Sequence, residues 1–131
     1  MKYYFIFLVL FFMIMIIPYS YAETLRQSME GGMDLEITYA DSVMKERMFS
    51  LSILLQNNGW ENKQDISFTL SNPDGAFISH GDNVIIIDEL TTTSSFGTTI
   101  DYQVSKTANE GSHFLNIDYT QILVSLSLIH I

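Results

Sequence analysis

Three aspartates and one tryptophan are the residues from which chemistry can be argued. Asp74, Asp82 and Asp88 lie on or beside stretches rich in Gly, Pro and Asn. Calcium takes its ligands from carboxylates and loop carbonyls, so these three could converge on one ion at one end of a β-domain. There is no EF-hand spacing or repeat to support them, and turns favour Asp for their own reasons. No cofactor is expected; calcium is the one ion worth a hypothesis, set against three ordinary turn aspartates. Trp60, the only tryptophan, stands close to Asn58 and Glu61. An exposed indole stacks on a sugar face or anchors a protein contact, and the two polar neighbours would complete such a contact. The opposing reading folds the ring back over the core, because indole is rarely left in water.

Catalysis finds less to work with. A nucleophile–His–acid site needs a base within hydrogen-bond reach of the nucleophile and an acid that orients it. His80 and His113 both sit beside Ser and Gly, outside any recognised nucleophile context, and read as solvated turn residues. Glycoside hydrolysis needs two carboxyls facing each other across a cleft. Asp88 and Glu89 are adjacent, so on a strand they point to opposite faces. Transition-metal sites want His and Cys at short spacings, and the chain has no cysteine. The expectation is a protein without catalytic chemistry.

The elements that must position these residues are strands. Residues 49–56 alternate Phe49, Leu51, Ile53 and Leu55 with Ser50, Ser52, Leu54 and Gln56, and 65–71 alternate Ile66, Phe68 and Leu70 with polar partners. Period-two alternation marks a half-buried strand. The Asn57-Asn58-Gly59-Trp60 step tolerates positive φ, so the two runs are expected to form one hairpin-like pair. Residues 34–39 alternate in the same way, 41–47 read as a loop, and Asn72-Pro73-Asp74-Gly75 is a strong turn. Residues 76–79 could be a short edge piece. Val84-Ile85-Ile86-Ile87 is unbroken, which suggests a strand covered on both faces or one changing sheets. Ile100, Tyr102 and Val104 point one way, and Leu115, Ile117 and Tyr119 do so after the turn at 109–111. Tyr102 and Tyr119 are inward by phase; Phe77 and Phe96 fall near turns as edge plugs or small contact patches.

The first 22 residues read as a secretory signal. Lys2 precedes an almost unbroken apolar run over 3–17, Pro18 ends it, and Ser20-Tyr21-Ala22 offers small residues before a cleavage point. The alternative, a retained anchor, would need about 20 apolar residues. From Glu23 onward, five basic and fifteen acidic residues leave a formal charge of −10. That balance speaks against nucleic acid and anionic membrane surfaces as partners. Without cysteines, a small exported domain must rely on its core or on neighbours.

Residues 23–32, ending in Gly31-Gly32, are expected to be a flexible lead-in, and 33–125 the folded domain. The last six, Leu126-Ser127-Leu128-Ile129-His130-Ile131, are what CTG TCT CTT ATA CAC ATC encodes. That string resembles the end of a transposon-based sequencing adapter, so 126–131 are read as an adapter remnant. The natural chain is then expected to continue past Ser125 and to supply a further strand beside the last one.

Strand signals at roughly ten-residue intervals with no convincing helix after the signal argue for an all-β antiparallel sandwich, with a small barrel as the alternative. The order of signals over about residues 34–120 resembles an immunoglobulin-like family of exported adhesion-type domains, often called CARDB, and the kindred domains found beside glycosidases. The pieces that carry the resemblance are 48–53 running into Asn57-Asn58-Gly59, then 65–70, Pro73-Asp74-Gly75, 87–90 and 111–115. In that family Pro-Gly often precedes the fifth strand, where this chain has 91–95. The resemblance implies an immunoglobulin-like β-sandwich lacking its last strand. It also implies a secreted or cell-surface binding or spacer module whose partner is a surface protein or polysaccharide, with further domains in tandem. A carbohydrate-binding accessory domain of a larger exported enzyme is the second expectation, with Asn58, Trp60 and Glu61 as the contact.

Overall fold

The computed structural model describes residues 22–119 and 122–131; the expected signal segment falls almost wholly outside them. Nine strands, all pairing antiparallel, form two sheets among these residues. In chain order they are β1 (Ala22–Met29), β2 (Met33–Ala40), β3 (Met48–Asn57), β4 (Lys63–Ser71), β5 (Phe77–Ser79), β6 (Val84–Leu90), β7 (Ser95–Val104), β8 (Ser112–Tyr119) and β9 (Ile122–His130). One sheet runs β1-β2-β3-β7-β5 and the other β6-β4-β8-β9. They pack face to face as an antiparallel sandwich.

The alternating residues do what their period requires. Leu35 and Ile37 from β2, Leu51, Ile53 and Leu55 from β3, and Ile100, Tyr102 and Val104 from β7 are buried from one side. Ile66, Phe68 and Leu70 from β4 meet them with Leu115, Ile117 and Tyr119 from β8. Phe49 anchors one end of this core, stacked on Tyr102 at 5.6 Å and edge-on to Phe77 at 5.3 Å. Phe77 is therefore a core residue, while Phe96 is only partly buried against the core. Residues 41–47 are a loop and 72–75 a turn, with Gly75 at φ 69°.

Four features differ from the sequence expectations. The pair read from 49–71 is not a hairpin: β3 and β4 belong to different sheets, and 58–62 carries the chain across the sandwich. Alternation identifies a strand but says nothing of its neighbour, and neither Asn58 nor Gly59 has positive φ. The lead-in 23–32 is instead β1 and a tight turn, Glu30–Gly32. Gly31 and Gly32 both adopt φ 77°, the left-handed conformation that lets a short connection match the twist of two strands. The run at 84–87 is an edge strand and not a doubly covered one, with Val84 50% and Ile86 69% exposed. Finally, the position beside β8 expected to stand open is filled by the backbone of β9, from Tyr119↔Ile122 to Ser112↔His130.

Candidate functional site

The two ends of the sandwich carry different chemistry. At one end, here the crown, lie the β1–β2 turn, the 58–62 crossover, the start of β4 and the end of β6. Asn57, the last residue of β3, is wholly buried and holds them together. Its Nδ2 donates to the carbonyls of Glu61 and Leu90, each at 2.9 Å, and its Oδ1 accepts from the Gly59 amide at 3.1 Å. The amide of Asn58 donates to the Gly32 carbonyl at 2.8 Å. Gly59 then passes so close to the β1–β2 turn that a Cβ there would overlap the Gly31 carbonyl oxygen. A Cβ on Gly32 would come within 2.5 Å of Gly59 Cα. Glycine is required here for close approach of two backbones.

Asn58 points back to β2, its Nδ2 donating to Asp34 Oδ2 at 2.6 Å, while Ser28 donates to Asp34 Oδ1 at 2.8 Å. Hydrogen bonds from Ser28 and then Asn58 hold the Asp34 carboxyl below the usual range. On the far side of the crossover, Asn62 Oδ1 accepts from the Thr92 amide at 3.1 Å. The crossover is thus tied at both flanks. At its tip Trp60 is 100% exposed, against the expectation that the ring would fold over the core.

Trp60, Asn58 and Glu61, the three predicted contact residues, line one open hollow of about 450 Å³ together with Gly31, Gly32, Gly59 and Lys63. The Lys63 side chain lies over the β1–β2 turn, its Nζ 2.6 Å from where a Gly31 Cβ would be. The hollow offers an aromatic face, an amide, a carboxylate and an ammonium within one rim. Lys63 and the two glycines were not singled out from sequence. The signal that could have found the turn is the Gly-Gly step just ahead of the alternating run 34–39, which is compatible with a hairpin; nothing in the sequence pointed to Lys63.

The opposite end, the base, holds His113 and Asp74, with Asp82 just before β6, while Asp88 lies toward the crown end of β6. His113, at the start of β8 and only 8% exposed, is not a solvated turn residue. Its Nδ1 lies 2.6 Å from Asp74 Oδ2 and its Nε2 2.7 Å from the Asn109 carbonyl, with Phe77 edge-on at 6.0 Å. Both partners present acceptor oxygens, an arrangement that the doubly protonated ring satisfies at both nitrogens. Burial opposes the charge on His113, but the Asp74 and Asn109 hydrogen bonds outweigh it and raise its pKa. Burial likewise pushes Asp74 up, and His113 and the Ala76 amide more than reverse it, leaving its pKa lowered. In that doubly protonated form both ring nitrogens are occupied as donors. The ring clamps the 105–111 loop to the 72–76 turn. His80 is on the surface near Gln103, at 3.3 Å.

The three predicted calcium ligands do not come together. Asp74 is held by His113 and Ala76. Asp82 lies before β6, while Asp88 lies four residues into β6 from Val84, or about 13 Å at strand rise. Among the described residues no group of three His, Cys, Asp or Glu could hold a metal. Asp88 and Glu89 are both exposed at the end of an edge strand.

No protein-family model matches the chain, and no curated protein matches its sequence. The fold and the geometry of these two ends are the basis for a functional reading.

Proposed function

We propose that this domain is a non-enzymatic binding module, exported to the cell surface or secreted, of the adhesion type that its strand order resembles. The observation that carries the reading is Trp60: a fully exposed indole at the tip of a crossover braced on both sides. Keeping such a ring in water forgoes the burial that about 150–250 Å² of aromatic surface would otherwise gain. A partner that covers it recovers that gain, which is how interface anchors work.

The polar rim supports a polysaccharide as that partner, and with it the reading as a carbohydrate-binding accessory domain of a larger exported enzyme. Sugars present an apolar ring face edged by hydroxyls. Trp60 would take the face, while Asn58 and Lys63 donate and Glu61 accepts. The formal charge of −10 beyond residue 22 argues against nucleic acid and anionic membranes. The test is Trp60 fluorescence against a panel of neutral and acidic soluble polysaccharides and against purified cell-wall fractions. Quenching or a blue shift that is lost in Trp60→Ala supports the reading. An unchanged spectrum across the whole panel overturns the polysaccharide as ligand.

A further inference from the structure

The side of the sandwich between β6 and β7 carries a second feature. Strand β6 is one of the two outer strands of its sheet. Strand β7 is paired on its outer side by β5 only at Tyr102, Gln103 and Val104, with one further bond from the His80 amide to the Asp101 carbonyl. Residues 95–100 of β7 therefore have no strand beyond them among the described residues. The two open edges, one from each sheet, flank a groove of about 330 Å³ lined by Gly81, Asp82, Val84, Ile85, Ile86 and Thr98–Ile100.

Edge strands are normally defended by lysine, proline or a charged inward residue. Strand β1, one of the two outer strands of the other sheet, follows that rule with Glu23 and Arg26. Residues 84–87 of β6 are Val-Ile-Ile-Ile with none of these, and Val84 and Ile86 remain half or more exposed. The charges stand only at the ends: Asp82 before the strand, Asp88 and Glu89 at its close. No residue lining the groove is basic. An apolar edge with acidic ends is complementary to an apolar strand with basic ends. A second copy of this chain does not satisfy that requirement, since it brings the same acids and a formal net charge of −9.

We propose that this groove is a strand-addition site that accepts an extended peptide of alternating aliphatic residues flanked by lysine or arginine. Main-chain hydrogen bonds to β6 supply much of the affinity, alternate aliphatic side chains enter beside Ile85 and Ile100, and the basic flanks meet Asp82 and Asp88. The site is separate from the Trp60 hollow, and its occupancy does not depend on that reading.

The test uses the full chain and a labelled peptide of about ten residues, valine and isoleucine alternating with threonine between paired lysines. Binding is read by fluorescence anisotropy, and its position by amide hydrogen exchange. The expected result is saturable binding, new protection confined to 84–90 and 95–101, and at least a tenfold loss of affinity in Val84→Lys/Ile86→Lys. Phe114→Lys, on an exposed aromatic of β8, should bind as wild type and shows that an added surface charge alone is not the cause. The same peptide with glutamate flanks, or with a central proline, should not bind. Absence of binding by the lysine-flanked peptide overturns the proposal. So does equal binding of the glutamate-flanked peptide, protection at any other edge, or occupation of β6 by a second copy seen as concentration-dependent dimers that Ile86→Lys abolishes.

Discussion

The side-chain amide of Asn57 donates to the main-chain carbonyl of Leu90 at 2.9 Å, inside the protein and across the two sheets. One residue ends a strand of the first sheet and finishes the last strand-end carbonyl of the second. The same side chain also fastens the crossover that carries Trp60. The exposed aromatic and the join between the sheets are thereby one mechanical unit.

Replacing Asn57 by Ala should destabilise the domain by about 3 kcal/mol, because it leaves the Leu90 and Glu61 carbonyls and the Gly59 amide without their partner in a dry site. Asn58→Ala, whose bond to Asp34 lies at the surface, should lose about 1 kcal/mol or less. Urea unfolding of the two variants side by side measures the difference.

Gly59→Ala and Gly75→Ala separate two reasons for glycine. At Gly59 the added methyl collides with the Gly31 carbonyl, so the β1–β2 turn must shift, at a cost of about 2 kcal/mol or more. Gly75 has open space around it but φ 69°, and there the expected loss is about 1 kcal/mol. Only the first should alter Trp60 fluorescence, since only that glycine shares the crown.

His113 and Asp74 give the stability a pH window. The folded pKa of His113 is raised, so its contribution is whole below the unfolded value of about 6.5 and fades as pH rises through the folded one. That of Asp74 is lowered, so its contribution is whole above about 3.9 and fades as pH falls through the folded one. Wild type should exceed His113→Gln in melting temperature by most between about pH 4 and 6.5, and the gap should narrow by pH 8.5. Taking the difference between the two proteins removes the general repulsion of an acidic chain.

Trp60→Ala should leave urea stability within about 0.5 kcal/mol of wild type, since the ring touches no core. Phe68→Ala, at zero exposure beside Tyr119, should lose about 3–5 kcal/mol. The pair of measurements shows that any binding lost with Trp60 is not lost folding.

Strand identity was legible because period-two burial is a local property: residues 49–55, 66–70 and 115–119 face inward as their alternation requires. Strand partnership was not, because it depends on contacts between distant segments. The 49–71 stretch looked like a hairpin, yet the Asn57 network and the Gly59–Gly31 contact send the chain to the other sheet. The polar look of 23–29 concealed β1, an edge strand with little to bury, whose pairing rests on Gly31-Gly32. At the crown, the grouping of Asn58, Trp60 and Glu61 could be read from adjacency, while the exposure of the indole could not. At the base, nothing in the spacing of Asp74 and His113, 39 residues apart, announced their pairing.

The register of the outermost strands also decides how the domain would answer a pull. Ala22 pairs with Ala40 at the base, and Ile131 exchanges two main-chain bonds with Gly111 at that same end. Ala22 and Ile131 thus both lie on the side opposite Trp60. Tension between them would open β1 from β2 and β9 from β8 like zippers, one hydrogen-bonded pair at a time, instead of loading many pairs together in shear. The domain would yield at low force from its edges, while the crown, bound through Asn57, would be the last part to let go.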